Sequence, residues 1–71
     1  MGTIEDINKM LDFAIKEEDD AFNDYMLLIN YIDFSESRDT IKEIAAQERI
    51  HKNLLQKVKL EFNDKGWKSI K

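Results

Sequence analysis

The chain has 71 residues, a net charge of −4, and neither cysteine nor proline. A chain this short forms one domain, residues 1–71, and because disulfides are excluded it needs a metal ion or a second chain for stability. Charged residues interrupt every apolar stretch from Glu5 to Lys71, so we expect neither a signal peptide nor a membrane-spanning segment. We therefore expect the protein to be cytoplasmic.

The charges are divided between the two halves of the chain. Residues 5–24 hold eight acidic residues and two lysines, whereas residues 38–71 hold nine basic residues and five acidic ones. Because the two halves attract each other, this division favours an antiparallel hairpin of two helices over a nucleic-acid-binding surface. The sequence therefore predicts an all-α fold without a nucleic-acid partner.

The first predicted helix spans about residues 4–33, with Thr3 as its N-cap and an apolar seam along one face. Glu18 is the one charged residue of that seam, which comprises Ile4, Ile7, Leu11, Ala14, Glu18, Ala21, Tyr25, Leu28 and Ile32. A second apolar row widens the face beyond what one partner helix covers, and it comprises Phe13, Ile15, Phe22, Met26 and Ile29. We therefore expect more than two helices to meet.

Residues 33–37 are predicted to form the turn, because their serine and aspartate side chains compete with helical hydrogen bonds. The second predicted helix spans about residues 38–64. Its seam comprises Ile41, Ile44, Glu48, His51, Leu55, Val58 and Phe62. Gly66 is expected to end this helix, and residues 65–71 to form a short tail in which Trp67 packs back on the helix.

Three ligand-type residues interrupt the two seams at similar distances from the turn. Glu48 and His51 are three residues apart, so they share one helical face. At a rise of about 1.5 Å per residue, Glu18 lies roughly 22 Å from the turn, and Glu48 and His51 roughly 15 to 20 Å. Because buried carboxylates need a compensating cation, the sequence predicts a site for iron, manganese or zinc.

Two interpretations of these residues stay open. If the seam is displaced by one position, they lie at a solvated edge and pair with Lys16, Lys52 or Arg49. Otherwise the hairpin supplies one Glu and one Glu-x-x-His, which is half of the ligand set of a di-iron bundle. A two-fold homodimer would double that set and complete a four-helix core.

At Glu18, Tyr25, Glu48 and His51 the sequence resembles the encapsulated ferritins, which are two-helix half-ferritins of the ferritin-like superfamily. The resemblance covers about residues 10–62. It implies a hairpin that dimerises into a ferritin-like four-helix bundle and a ferroxidase, which oxidises Fe(II) to Fe(III) for iron storage or detoxification. In that family the corresponding residues form a di-iron site shared between two chains, with Glu48 bridging, Glu18 and His51 terminal, and Tyr25 beside the site.

The resemblance has further implications for iron entry and for partners. Glu17 and Asp20 correspond to an acidic pair that attracts iron on its way in, although a solvated acidic face explains them equally well. The family assembles as rings of dimers, such as a decamer, inside an encapsulin nanocompartment. This chain ends at Lys71 without the family's apolar shell-docking peptide, so an encapsulin partner stays open.

Two other functions fit the same residues. One is a rubrerythrin-like scavenger of peroxide, which would need a separate electron donor because the chain has no cysteine to hold the iron of a reductase domain. The other is a non-enzymatic oligomerisation module, in which Glu18, Glu48 and His51 are structural or bind zinc.

Overall fold

The computed structural model describes residues 3–65, which form two α-helices joined by a short turn. Helix α1 spans Ile4–Ile29 and helix α2 spans Ser35–Lys65. The predicted all-α helical hairpin is confirmed. The tail, with Gly66 and Trp67, lies outside the described residues. No helix in the described part of the chain is long and apolar enough to cross a membrane.

Helix α1 begins where the sequence predicts and ends earlier. Thr3 has an extended backbone, and its hydroxyl oxygen accepts a hydrogen bond from the Asp6 N–H at 3.0 Å, which satisfies one of the free donors of the first turn. The end at Ile29 lies four residues before the predicted one. There the Asn30 N–H bonds to the Leu27 carbonyl at 3.0 Å, and such i to i−3 bonds tighten and close the last turn.

Helix α2 begins three residues earlier than predicted. The carbonyl of Phe34 accepts the Arg38 N–H at 3.0 Å, so the helical hydrogen bonds start with Ser35. Glu36 then lies in the first turn, where a carboxylate is stabilised by the positive end of the helix dipole. The residues expected in the turn are thus partly helical, and the turn is only residues 30–34.

Polar contacts between the helices fix one antiparallel register. The Asn8 and Asn63 amides donate to each other's oxygens at 2.8 and 3.0 Å. Two ion pairs, Asp12 with Lys59 and Asp19 with Lys52, follow on the same side of the hairpin. In all three pairs the residue numbers add up to 71. We call this side the polar edge, and its residues are Asn8, Asp12, Asp19, Lys52, Lys59 and Asn63.

Away from the polar edge, a stripe of mostly apolar residues follows both helices and is partly exposed in the single chain. We call it the open face, and its residues recur every seven positions as Ala14, Ala21 and Leu28 on α1 and Ile44, His51 and Val58 on α2. Leu28 is 44% exposed and Val58 is 48% exposed. Among the described residues the buried core is only Ile29 and Ala45. Two helices alone therefore leave much of the predicted seam in contact with water.

Candidate metal centre

The helical hairpin brings Glu18, Glu48 and His51 together near the middle of both helices. Glu18 lies on α1, and Glu48 and His51 lie one turn apart on α2. Their ligand atoms all lie within 4.8 Å of one another. The Nδ1 atom of His51 is 3.6 Å from Oε2 of Glu18 and 3.9 Å from Oε2 of Glu48. These three side chains are therefore close enough to bind one ion together.

The two carboxylates point into the hairpin, and the imidazole lies at its open face. The side chains of Glu18 and Glu48 are 22% and 19% exposed, whereas that of His51 is 50% exposed. The Oε2 atom of Glu18 is buried and has no hydrogen-bond partner within the described chain. An acceptor buried without a donor is unfavourable, so this oxygen is well suited to bind a cation.

The neighbouring cationic side chains are all engaged elsewhere. Lys16 Nζ lies 3.6 Å from Asp20 Oδ2, and Lys52 Nζ lies 2.8 Å from Asp19 Oδ1. The Arg49 guanidinium stacks over the Phe22 ring, 4.9 Å from its centroid. The three pairings expected of a solvated edge are thus absent from residues 3–65, and His51 is the one basic side chain in contact with the two carboxylates.

The electrostatics of Glu18 reflect the crowding of two carboxyl groups. Two ionised carboxylates cannot donate to each other, but once one is protonated a hydrogen bond with Glu48 raises the pKa of Glu18, and partial burial and the negative charge of Glu48 raise this pKa further. His51 acts in the opposite direction and lowers the pKa. The metal-free site therefore favours a proton between the two carboxyl groups, in the place where a metal ion would neutralise both.

The other predicted site residues lie outside this cluster. Tyr25 is half-buried on the same face of α1, two turns after Glu18 and therefore about 10 Å along the axis. Glu17 and Asp20 are exposed, and Asp20 contacts Lys16 on the surface of α1. The structure thus groups three of the predicted residues and separates Tyr25, Glu17 and Asp20 from them.

The donor set can be tested against the chemistry of metal ions. Carboxylate oxygen and imidazole nitrogen suit iron, manganese and zinc. An ion of this kind takes about four to six donor atoms, and the hairpin supplies three side chains, of which one oxygen is already buried and unpaired. The residues therefore fit a metal ion, and the open face leaves room for donors from outside the hairpin.

The sequence patterns singled out the ligand-type residues but missed the ion pair beside them. Asp19 follows Glu18 directly, Lys52 follows His51 directly, and the two form an interhelical ion pair. The signal was present in the sequence, since Asp12 and Asp19 are seven residues apart, as are Lys52 and Lys59. Only the register of the helices shows which aspartate meets which lysine.

One of three comparisons with known proteins gave a match. The family model described as Rubrerythrin matches residues 9–67, which include Glu18, Glu48 and His51. Comparisons with curated proteins and with solved structures gave no significant match.

Proposed function

The chain belongs to the rubrerythrin family, a family of di-iron domains within the ferritin-like superfamily, and from this we propose that it oxidises iron at a site completed by two copies of the chain. The observation that carries the proposal is the Glu18, Glu48 and His51 cluster, with its buried and unpaired carboxylate oxygen. The narrower assignment of the chain to the encapsulated ferritins remains a prediction.

The number of ligands supports a shared site. Di-iron bundles use one Glu from each of two helices and a Glu-x-x-His from each of two others. One hairpin holds one copy of each element, as Glu18 on α1 and the Glu48 and His51 pair on α2. A second copy related by a two-fold axis would supply the missing half, so the site and the homodimer would form together.

The exposed surface around the cluster supports the same arrangement. The open face surrounds His51 with apolar side chains, of which Ile44 is 39% and Val58 48% exposed. The polar edge, in contrast, already pairs its charges within the hairpin. A second copy docked on the open face would bury apolar surface and bring its own carboxylates and imidazole to the cluster.

The proposed chemistry treats Fe(II) as the substrate. Two Fe(II) ions give up two electrons, which reduce one dioxygen with two protons to hydrogen peroxide, or one hydrogen peroxide with two protons to two waters. Glu18 and Glu48 supply negative charge, which favours Fe(III) over Fe(II), and His51 supplies a neutral nitrogen donor. Manganese or zinc would fit the same donors without this turnover.

Reduction of peroxide is a second candidate function, and the family match is compatible with it as well as with iron oxidation. Both functions use the same ligands and differ in which reactant is consumed repeatedly. A ferroxidase uses up Fe(II) and accumulates Fe(III), whereas a peroxide reductase returns its iron to Fe(II) with electrons from a donor. Because these 71 residues contain no cysteine, that donor would have to be a separate protein or domain.

Native mass spectrometry of the chain tests the proposal, first without metal and then with Fe(II) added under argon. We expect even-numbered oligomers holding about two irons per pair of chains, and Fe(III) after exposure to air. The His51→Ala variant should lose the iron. Wild-type chains that bind no iron would overturn the proposal and support the non-enzymatic module.

Larger assemblies remain predictions of the resemblance. A ring such as a decamer would appear in the same spectra as a multiple of the dimer. Docking to an encapsulin shell, and with it a cytoplasmic nanocompartment, requires a test with the shell protein itself.

A further inference from the structure

We propose that the Asp19 and Lys52 ion pair is a positioning device for the metal site. It restrains the spacing of the two helices at the point where Glu18 meets Glu48 and His51. The inference rests on the proposed function, because it concerns how the same ligands are placed. Asp19 and Lys52 contact each other and are positioning residues rather than ligands.

The ion pair lies at the same height as the site. Lys52 Nζ is 2.8 Å from Asp19 Oδ1, and each of these residues directly follows a ligand-type residue in the chain. The Lys52 side chain is only 23% exposed, so its stem packs against the hairpin while its ammonium group reaches across to α1. The pair therefore links the two helices directly beside the three candidate ligands.

The apolar seam by itself constrains the register only weakly. Apolar contacts are non-directional, and a seam that repeats every seven residues can pack again after a slip of seven. Such a slip would move Glu18 about 10 Å along α2. It would also break both ion pairs of the polar edge, so each pair opposes the slip, and the Asp19 and Lys52 pair does so directly beside the site.

Metal binding is more demanding than helix packing. Bonds between a metal and its ligands vary by only about 0.2 Å around their ideal lengths. Apolar packing of two exposed helices cannot define distances so closely, whereas a charged hydrogen bond beside the site restrains the spacing of the helices at that height. Loss of the pair should therefore weaken the metal site by more than it weakens the fold.

The chain contains a matched control for this inference. Asp12 and Lys59 form an ion pair of the same residue types on the same polar edge. Asp12 lies six residues before Glu18, which is about 9 Å along the helix. Breaking the Asp12 and Lys59 pair should lower the stability of the hairpin to a similar extent, yet leave the geometry of the site unchanged.

An alternative explanation is that the pair affects metal binding only through its charges. The two explanations predict opposite changes in metal affinity when the Lys52 cation is lost. If only the electric field mattered, loss of the Lys52 cation would strengthen metal binding, and loss of the Asp19 anion would weaken it. If the pair positions the ligands, both losses should weaken binding. Lys52→Met and Asp19→Ala therefore separate the two explanations.

The test measures Fe(II) affinity by calorimetric titration under argon, repeated with Zn(II), for the full chain and four variants. We expect Asp19→Ala and Lys52→Met each to lose about ten-fold or more in affinity, as losses around metal ligands commonly do. Asp12→Ala and Lys59→Met should remain within about two-fold of wild type, and their thermal unfolding should match that of the first two variants.

A double variant covers the case in which the single variants unfold. Exchanging the partners, with Asp19→Lys and Lys52→Asp together, restores an ion pair of reversed polarity, and we expect it to recover most of the lost affinity. Changes of opposite sign for Asp19→Ala and Lys52→Met, or equal losses in all four single variants, would overturn the proposal. A wild-type chain that binds neither metal would overturn the proposed function and this inference together.

Discussion

At the scale of single residues, Glu18 affects both the stability of the metal-free chain and its affinity for metal ions. Its pKa is raised above the ordinary value of 4.5, first by hydrogen bonding with Glu48. Between 4.5 and the raised pKa, the folded chain holds a proton on Glu18 that the unfolded chain has lost. The free energy of unfolding therefore falls as the pH rises through this window. Above it, the ionised Glu18 destabilises the metal-free fold.

Glu18→Gln should therefore stabilise the metal-free chain at pH 7, because the amide removes the charge and can donate to Glu48. We expect a higher melting temperature than wild type at pH 7 and a difference that shrinks as the pH falls towards 4.5. Circular dichroism melts in the presence of a chelator measure this. Glu17→Gln, at the exposed neighbouring position, is the control and should change little. A melting temperature below wild type would contradict the prediction.

The same carboxyl group should make metal binding dependent on pH. A metal ion must displace the proton from Glu18, so affinity falls as the pH decreases through the raised pKa, at a higher pH than an ordinary glutamate would require. We expect Zn(II) affinity to fall as the pH is lowered from 7 towards 4.5, with proton release on binding. Calorimetric titrations in buffers of different ionisation enthalpy measure that release. Binding without proton release in this range would contradict the role of Glu18.

At the scale of helices, Ala45 controls how closely α1 and α2 approach. It is 1% exposed and lies one turn before Glu48. Ala45→Leu would insert a larger side chain between the helices and should cost about 1–3 kcal/mol in the free energy of unfolding. Because the helices would separate beside the site, metal affinity should fall as well. Chemical denaturation and metal titration measure the two effects.

Ala46→Leu is the control for this prediction, since Ala46 is exposed on the same helix and leucine also favours a helical backbone. We expect its stability and metal affinity to remain near those of wild type. Equal destabilisation by both substitutions would mean that Ala45 has no special part in the packing of the helices.

The helices and the candidate ligands could be predicted from the sequence, and the ends of the helices and the register could not. The period of the apolar residues places Glu18, Glu48 and His51 in two seams, and these side chains do meet. The end of α1 at Ile29 depends on local backbone hydrogen bonds, with neither glycine nor proline to mark it. The pairing of Asp19 with Lys52 joins residues 33 positions apart, which the division of charge predicts only as a general attraction.

At the scale of the whole molecule, the chain has two surfaces of different character. The polar edge satisfies its charges within the hairpin, whereas the open face exposes apolar side chains around a half-exposed histidine. With only Ile29 and Ala45 buried among the residues that the structure describes, one hairpin has little core to stabilise it. Both features favour a second copy on the open face, which would complete the core and the ligand set at once.

Val58→Asp tests this arrangement, because it places a charge on the open face at a residue that is 48% exposed in the single chain. We expect this variant to be monomeric and to lose its iron, since burying an unpaired carboxylate in an apolar interface is costly. Leu60→Asp is the control, because Leu60 is 73% exposed and lines the groove beside Lys59 on the polar edge. Native mass spectrometry should show that only Leu60→Asp retains dimers and iron. A Val58→Asp variant that still dimerises and binds iron would show that the site is completed through another surface.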